Sequence, residues 1–176
     1  MTHYTRDQIG LREPRGRYRL DAADVDGVAL HWPGTKIRLT TPAACMAALR
    51  SYQRLHMDTD AIAEGGASDI AYQIAISQAG DWYQLRGLRH RSGANGDADV
   101  NRRYGAFLLL VAIGEEPTAA MVRTVRERVG RFVDIFPRAV DVVGHQDVRP
   151  AGTQCPGGPV MRLVELGRFA REASAL

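Results

Sequence analysis

Residues 143–158 of the chain read VGHQDVRPAGTQCPGG. His145 stands at the end of an apolar, β-branched run, and Cys155 follows ten residues later, directly before a proline and two glycines. An imidazole and a thiolate are both ligands that zinc accepts in proteins. One pair of ligands does not make a site, so this stretch indicates a metal centre only if the chain supplies a third ligand and a substrate cleft.

The composition is that of an ordinary globular domain. With 176 residues, 45% of them hydrophobic and 24% charged, the chain is long enough to bury one core. The net charge of +3 is carried almost entirely by arginine, because Lys36 is the only lysine. Such a charge suits a weak attraction to anionic polymers such as cell-wall material. It is too small and too scattered to indicate nucleic-acid binding.

The sequence predicts neither a membrane span nor a secretory leader. No apolar run approaches the roughly 20 residues that a membrane helix needs. The first seven residues, MTHYTRD, are polar and lack the hydrophobic segment of a signal peptide. We therefore expect synthesis in the cytoplasm, with a separate factor releasing the protein if it acts elsewhere.

The first regular element is expected after a polar beginning. Residues 1–24 are arginine-rich, and we interpret them as an N-terminal arm packed on a domain formed by residues 25–176. Residues 25–32 form a short apolar strand that is ended by a proline and a glycine. His31 lies at the last turn of this strand, where a rigid element can present a functional side chain.

A helix is predicted to follow this strand. A threonine at position 40 or 41, with Pro42 in the first turn, is a typical helix start, and helical spacing continues to about residue 57. The residues on its inner face are Cys45, Leu49, Tyr52 and His56. We interpret Cys45 as a packing residue, since buried unpaired thiols are usually inert. His56 lies on the same face, and we interpret it as a buried core histidine.

Strands and two helices also alternate through the rest of the chain. The predicted elements are a hairpin over 69–76 and 82–85, a polar loop over 86–105, a doubly buried strand over 106–113, a helix from 117, a strand over 139–144 and a helix from 159. This order predicts a single α/β domain with a central mixed β-sheet flanked by helices.

Three potential ligands fall at strand ends or just beyond them. If those ends meet at one edge of the sheet, His31, His145 and Cys155 form a set of two imidazoles and one thiolate. Three protein ligands with an open fourth position are typical of catalytic zinc, and the chain has too few cysteines for a closed thiolate site. Asp147 and Arg149 could orient His145, or they could form a salt bridge within the loop.

Several segments of the chain match the motifs of a known family in the family's order. They are residues 5–14, 31–35, 56–58, 68–72, 80–87, 90–101, 144–147 and 153–157. In these segments the chain resembles the zinc N-acetylmuramoyl-L-alanine amidases of phage lysins, which share a fold with peptidoglycan recognition proteins. The chain departs from the family at Ile9 and Ala67, where tryptophan is usual, and at Thr153, where some members carry lysine.

The resemblance implies a role for several residues. His31, His145 and Cys155 are implied as ligands of one Zn²⁺ per chain. Tyr72 is implied as a hydrogen-bond donor to the tetrahedral intermediate, and Thr153 occupies a second catalytic position. The residues implied in substrate binding are Trp32, His90 and Asn101, with Asn95 as the alternative to the last of these.

Three of these residues can also be interpreted as having no part in the function. By its sequence pattern alone, Tyr72 is a half-buried strand aromatic. Thr153 could simply shape the loop before Cys155. His90 stands among arginines in a polar loop, where a solvated histidine is the usual outcome.

The resemblance implies an enzyme that hydrolyses the amide between N-acetylmuramic acid and the L-alanine of the stem peptide. A phage endolysin is expected, made in the host cytoplasm without a signal peptide and acting on the cell wall after release. Its partner would be bacterial peptidoglycan, without nucleic acid or membrane insertion, and the chain would be a monomer. The alternatives are a non-catalytic peptidoglycan-binding module of the same fold and a zinc hydrolase for another amide. Cys155 argues against the binding module, since non-catalytic relatives lack this cysteine.

Overall fold

A six-stranded mixed β-sheet forms the centre of the molecule. The computed structural model describes residues 1–149 and 152–171, so residues 150–151 of the stretch quoted above and 172–176 of the predicted domain lie outside the described residues. The strands are β1 (His3–Tyr4), β2 (Gly27–His31), β3 (Ile74–Ser77), β4 (Trp82–Gln84), β5 (Tyr104–Leu110) and β6 (Asp141–Gly144). Their order in the sheet is β1-β4-β3-β5-β2-β6, and every neighbouring pair is parallel except the antiparallel hairpin β3-β4.

Two long helices and four short ones accompany the sheet among the described residues. They are α1 (Arg6–Ile9), α2 (Pro42–Asp58), α3 (Ala98–Arg103), α4 (Ala119–Ile135), α5 (His145–Val148) and α6 (Gly158–Glu165). The hydroxyl oxygens of Thr41 and Thr118 accept hydrogen bonds from backbone N–H groups in the first turns of α2 and α4. The predicted α/β fold with a mixed sheet and flanking helices is confirmed.

Alternation along β5 divides the core into two layers. Phe107 and Leu109 belong to the cluster that contains the buried residues of α4. Leu108 and Leu110 face the opposite way and belong to the cluster that contains Cys45 and Leu49 of α2. Each face of the sheet is therefore covered by a helix, as expected for a strand that is buried throughout.

The side of the sheet on which the candidate site lies follows from the same alternation. On β2, Val28 and Leu30 belong to the cluster on the α4 side. His31 is the next residue and the last of the strand, so its side chain points to the α2 side. Tyr72 packs against the cluster on that side.

Three predicted elements differ from the structure. The strand expected from residue 69 begins only at Ile74, and Asp69 is instead held by side-chain hydrogen bonds from Arg6 and Gln53. The strand expected over 106–113 is β5, which begins at Tyr104 and ends at Leu110. The loop expected over 86–105 contains the short helix α3.

The first 24 residues contribute more than a surface arm. Strand β1 pairs with β4 at the edge of the sheet, and Ile9 is completely buried in the core. A two-residue strand and a four-residue helix are too short to leave a periodic pattern in the sequence.

Among the described residues, none of the helices combines the length and the apolar character that a membrane span requires.

Candidate metal centre

The three predicted ligands meet at one edge of the sheet. Strands β2 and β6 are parallel neighbours, with Leu30 opposite Gly144, so the residues that follow this pair emerge side by side. One ligand atom from each of His31, His145 and Cys155 lies within 4.8 Å of the other two. This is the only such group of metal-binding side chains within residues 1–149 and 152–171. The sequence-based prediction that these strand ends converge is correct.

His31 is almost completely buried, and both of its ring nitrogens have a neighbour. Nδ1 lies 3.6 Å from Sγ of Cys155. On the other side of the ring, Nε2 lies 2.9 Å from Oδ1 of Asn95. The ring centroids of His31 and His145 are 4.4 Å apart. His31 therefore offers Nδ1 to the cluster while Nε2 is occupied elsewhere.

His145 is the first residue of α5, directly after β6. Its Nε2 is buried and has no hydrogen-bond partner within the described part of the chain. Nearly all buried polar atoms in proteins are paired, so an unpaired ring nitrogen beside a thiol and a second imidazole is typical of a metal ligand. The Asp147 carboxylate accepts a hydrogen bond from the backbone N–H of Gly144, at 2.8 Å, and so caps this turn.

Cys155 is held by its own loop and by the loop of His145. The N–H of Gln146 donates to the Cys155 carbonyl at 2.8 Å, which ties the two ligand segments together. Thr153 Oγ1 accepts a hydrogen bond from the Cys155 N–H at 3.2 Å. Gly157 follows with a φ of +87°, and a Cβ there would lie 2.6 Å from the Trp32 ring. Only glycine allows the loop to pass so close to this indole.

Burial keeps the three ligand side chains uncharged in the absence of a metal. It lowers the pKa of His31 to about 3, with a further contribution from the neighbouring His145. Burial also lowers the pKa of His145, and the charge of Arg149 adds to this. The thiol of Cys155 has its pKa raised by burial to about 11. Two neutral imidazoles are ready to bind a cation, whereas the thiol must release a proton to do so.

Tyr72 lies beside the ligand cluster, two residues before β3 begins. Its ring centroid is 5.4 Å from that of His31 and 5.8 Å from that of His56. Burial raises the pKa of the phenol, and the nearby Cys155 adds to this shift. The phenol therefore keeps its proton at neutral pH. Nδ1 of His56 accepts a hydrogen bond from the Ala71 N–H at 3.0 Å and fixes the turn that carries Tyr72. His56, which sequence analysis treats as a packing residue, thus also positions this segment.

The remaining candidate residues lie outside the ligand cluster. Nδ1 of His90 lies 2.8 Å from the carbonyl oxygen of Arg86. The backbone of His90 forms an isolated antiparallel β-bridge with Arg19 of the N-terminal segment. Asn101 lines a groove of about 490 Å³ together with Tyr18, Ile62, Arg91 and Arg149. Trp32 is half-buried against the core. Their roles in substrate binding stay predictions.

Asn95 is a residue of the site whose role sequence analysis missed. It is completely buried and bonds directly to His31, 64 positions away in the chain. No sequence pattern links two residues so far apart, and a short polar loop gives no periodic signal. Only the convergence of the β2 end with the loop before α3 brings them together.

Comparisons with known proteins agree with this geometry. No protein-family model matches the chain. N-acetylmuramoyl-L-alanine amidases of Sus scrofa and Homo sapiens are each 29% identical to it, over 125 and 123 residues. These alignments cover 69% and 68% of the chain but only 20% of each relative, so the chain spans about a fifth of the length of these amidases.

Solved structures show the same fold over nearly the whole chain. Drosophila PGRP-LB superposes with a TM-score of 0.79 at 21% identity and covers 98% of both chains. Manduca sexta Peptidoglycan Recognition Protein-1 gives a TM-score of 0.78 at 21% identity, covering 94% of this chain and 90% of that protein. A mutant of Drosophila PGRP-LB, in complex with tracheal cytotoxin, has a TM-score of 0.79 at 21% identity and covers 96% of both chains. The chain is thus similar in sequence to these amidases, and its fold is that of peptidoglycan recognition proteins.

Proposed function

We propose that the chain is a zinc-dependent N-acetylmuramoyl-L-alanine amidase. It would hydrolyse the amide that joins the lactyl group of N-acetylmuramic acid to the L-alanine of the stem peptide. The observation that carries the proposal is the buried cluster of His31, His145 and Cys155, with an imidazole nitrogen that has no hydrogen-bond partner among the described residues. Sequence similarity to amidases of this name supports the reaction, and structural neighbours bound to tracheal cytotoxin support the substrate class.

The donor atoms of the cluster fit zinc. His31 would bind through Nδ1, His145 through Nε2 and Cys155 through Sγ, which accounts for the buried nitrogen that lacks a partner. Three ligands of these types are typical of a catalytic site with one open position, and one ion per chain is expected. When bound, Zn²⁺ supplies a Lewis acid that polarises the amide carbonyl and lowers the pKa of water.

Tyr72 supplies a hydrogen-bond donor beside this cluster. Its phenol keeps the proton at neutral pH, so it can donate to the carbonyl oxygen as negative charge develops there. His56 supports this function indirectly, because its bond to the Ala71 N–H fixes the turn that presents the phenol.

Thr153 has a different part in the proposed mechanism. Its hydroxyl oxygen accepts from the Cys155 N–H and so holds the ligand loop. A hydroxyl that accepts this bond can also donate its proton to water or substrate, but a threonine supplies no positive charge. We therefore assign the larger share of oxyanion stabilisation to Tyr72.

The test combines metal analysis with product analysis on purified peptidoglycan. Cys155→Ser should lose zinc and hydrolysis, whereas Cys45→Ala, which alters the other free thiol in the core, should keep both. The expected products are free amino groups of L-alanine and glycan chains with free lactyl carboxylates. A folded, zinc-loaded protein that leaves these walls intact refutes the proposal, and release of a different product refutes the assigned bond.

A non-catalytic peptidoglycan-binding module is the second candidate. It is favoured by the fold, since one neighbour is the ectodomain of the Drosophila transmembrane receptor PGRP-LCa. A binding module would sediment with cell walls, release no product, and keep its affinity in the Cys155→Ser variant.

The proposal includes a phage endolysin that works as a monomer on the host wall after release from the cytoplasm. Similarity of the ligand segments to phage lysins supports this origin. Expression in a bacterial host should cause lysis only when a membrane-permeabilising protein is produced as well. Lysis by the chain alone would contradict dependence on a separate release factor.

A further inference from the structure

Asn95 bonds to one histidine of the metal centre from a buried position. The residue lies in the loop between β4 and α3, and its side chain is inaccessible to solvent. Its Oδ1 lies 2.9 Å from Nε2 of His31.

The network around Asn95 fixes which atom of its amide faces His31. Nδ2 lies 2.9 Å from the carbonyl oxygen of Tyr104 and 3.1 Å from Oγ of Ser92. A carbonyl oxygen can only accept, so the amide NH₂ must face Tyr104 and Oδ1 must face His31. Nε2 of His31 therefore carries the ring proton and donates a hydrogen bond to Oδ1 of Asn95. Its Nδ1 is left with a free lone pair directed at the cluster.

The backbone of Asn95 is held within the same loop. Its N–H donates to Oδ1 of Asn101 at 3.1 Å, and the same oxygen accepts a hydrogen bond from Oγ of Ser92 at 2.7 Å. Both the backbone and the amide of Asn95 are therefore fixed where the side chain meets His31.

We propose that Asn95 is a positioning residue of the metal centre, selecting the metal-binding nitrogen of His31 with its side chain. The inference rests on the proposed function, because it assigns to the cluster the role of a zinc site. Hydrogen bonds of this kind fix the tautomer and orientation of a ligating histidine and raise its basicity. The bonds to Ser92 and Asn101 hold the loop, so this buried residue pre-organises His31.

Three variants separate positioning from general stability. Asn95→Leu keeps the branching of the side chain with a slightly larger volume, leaves no space for a replacing water, and removes the acceptor for His31. Asn95→Asp keeps an acceptor for His31 but loses the hydrogen bonds donated to Tyr104 and Ser92. The matched control Ser92→Ala loosens the same loop and leaves the contact with His31 in place.

The readouts are zinc affinity, measured by competition with a chromophoric chelator, and the absorption spectrum of the Co²⁺-substituted protein. We expect Asn95→Leu to weaken zinc binding about 10- to 100-fold and to change the Co²⁺ bands. Asn95→Asp should recover most of this affinity while its metal-free form melts at a lower temperature than the wild type. Ser92→Ala should bind zinc within about threefold of the wild type, well short of the loss expected on removing the His31 acceptor.

Two results would overturn the inference. One is an Asn95→Leu protein that is folded and binds zinc as tightly as the wild type. The other is a Ser92→Ala protein that loses as much affinity as Asn95→Leu, which would reduce the effect to loop order. If Asn95→Leu does not fold, Asn95→Ala replaces it in the same comparison.

If the proposed function is wrong while Asn95 still positions His31, zinc binding and wall hydrolysis give different answers. In that case the wild type binds zinc and Asn95→Leu weakens the binding, but no wall product appears.

Discussion

A buried ion pair holds the segment that carries Tyr72, and its removal gives a prediction with a calculable magnitude. The Asp69 carboxylate accepts from Nη1 of Arg6 at 2.8 Å and from Nη2 at 3.3 Å. It also accepts from Nε2 of Gln53 and from the Ile70 N–H, both at 2.8 Å. The N-terminal helix, α2 and the turn before β3 are thereby joined at one carboxylate.

The magnitude follows from the burial of the pair. The side chains of Arg6 and Asp69 are only 12% and 3% exposed. Removing one partner of a buried pair costs about 3–5 kcal/mol, because it leaves a buried charge uncompensated. Two other donors to the carboxylate remain, so we expect Arg6→Ala to lower the free energy of unfolding by about 3 kcal/mol. Zinc affinity should be retained, whereas wall hydrolysis should fall as the turn carrying Tyr72 loosens.

A second arginine of the same segment provides the control. Arg12 pairs with Asp58, but their side chains are 48% and 42% exposed, so Arg12→Ala should cost less than about 1 kcal/mol. Urea unfolding at constant free zinc measures both variants, since bound metal adds to the apparent stability. The double variant Arg6→Ala/Asp69→Asn should regain at least about 1 kcal/mol by removing the stranded charge. A cost for Arg6→Ala no larger than that for Arg12→Ala would refute this reasoning.

Further predictions concern the catalytic step and the acid stability. Tyr72→Phe keeps the ring contacts with His31 and His56, so zinc affinity should be unchanged while kcat falls about 10²- to 10³-fold; an unchanged kcat would exclude the phenol as a donor. In the metal-free chain, burial lowers the pKa values of His31 and His56 to about 3 and about 4, and the unfolded chain binds more protons below pH 6.5. Stability should therefore decline as the pH falls from 6.5 toward 4, by up to about 1.4 kcal/mol per pH unit for each histidine. Urea unfolding with a chelator at pH 7 and pH 5 measures this, and equal stability at both values would contradict it.

The convergence of the candidate ligands could be predicted from the sequence because each lies at a strand end or just beyond one, and the family resemblance implied them as a set. An apolar strand followed by a turn identifies where His31 and His145 lie along the chain, and parallel pairing then brings those ends together. Cys155 follows within ten residues of His145, so a short loop returns it to the same edge. This part of the site depends on local signals and on one rule of sheet topology.

The contacts that organise the site could not be predicted in this way. Tyr72 was expected within a strand but lies before it, in a segment whose Asp69 is held by long-range bonds. Asn95 reaches His31 across 64 positions, through a loop without periodicity. Strand β1 is two residues long and is defined by its partner in the sheet. Such features depend on tertiary contacts that leave no trace in the spacing of apolar residues.

The most direct test of the account is a titration of the metal-free protein with zinc while peptidoglycan hydrolysis is measured. The cluster of His31, His145 and Cys155 predicts no hydrolysis at the start, a linear rise, and a plateau at one equivalent of zinc per chain. Full hydrolysis by the metal-free chain, or none at any zinc concentration, would contradict the assignment of this cluster as a catalytic zinc site.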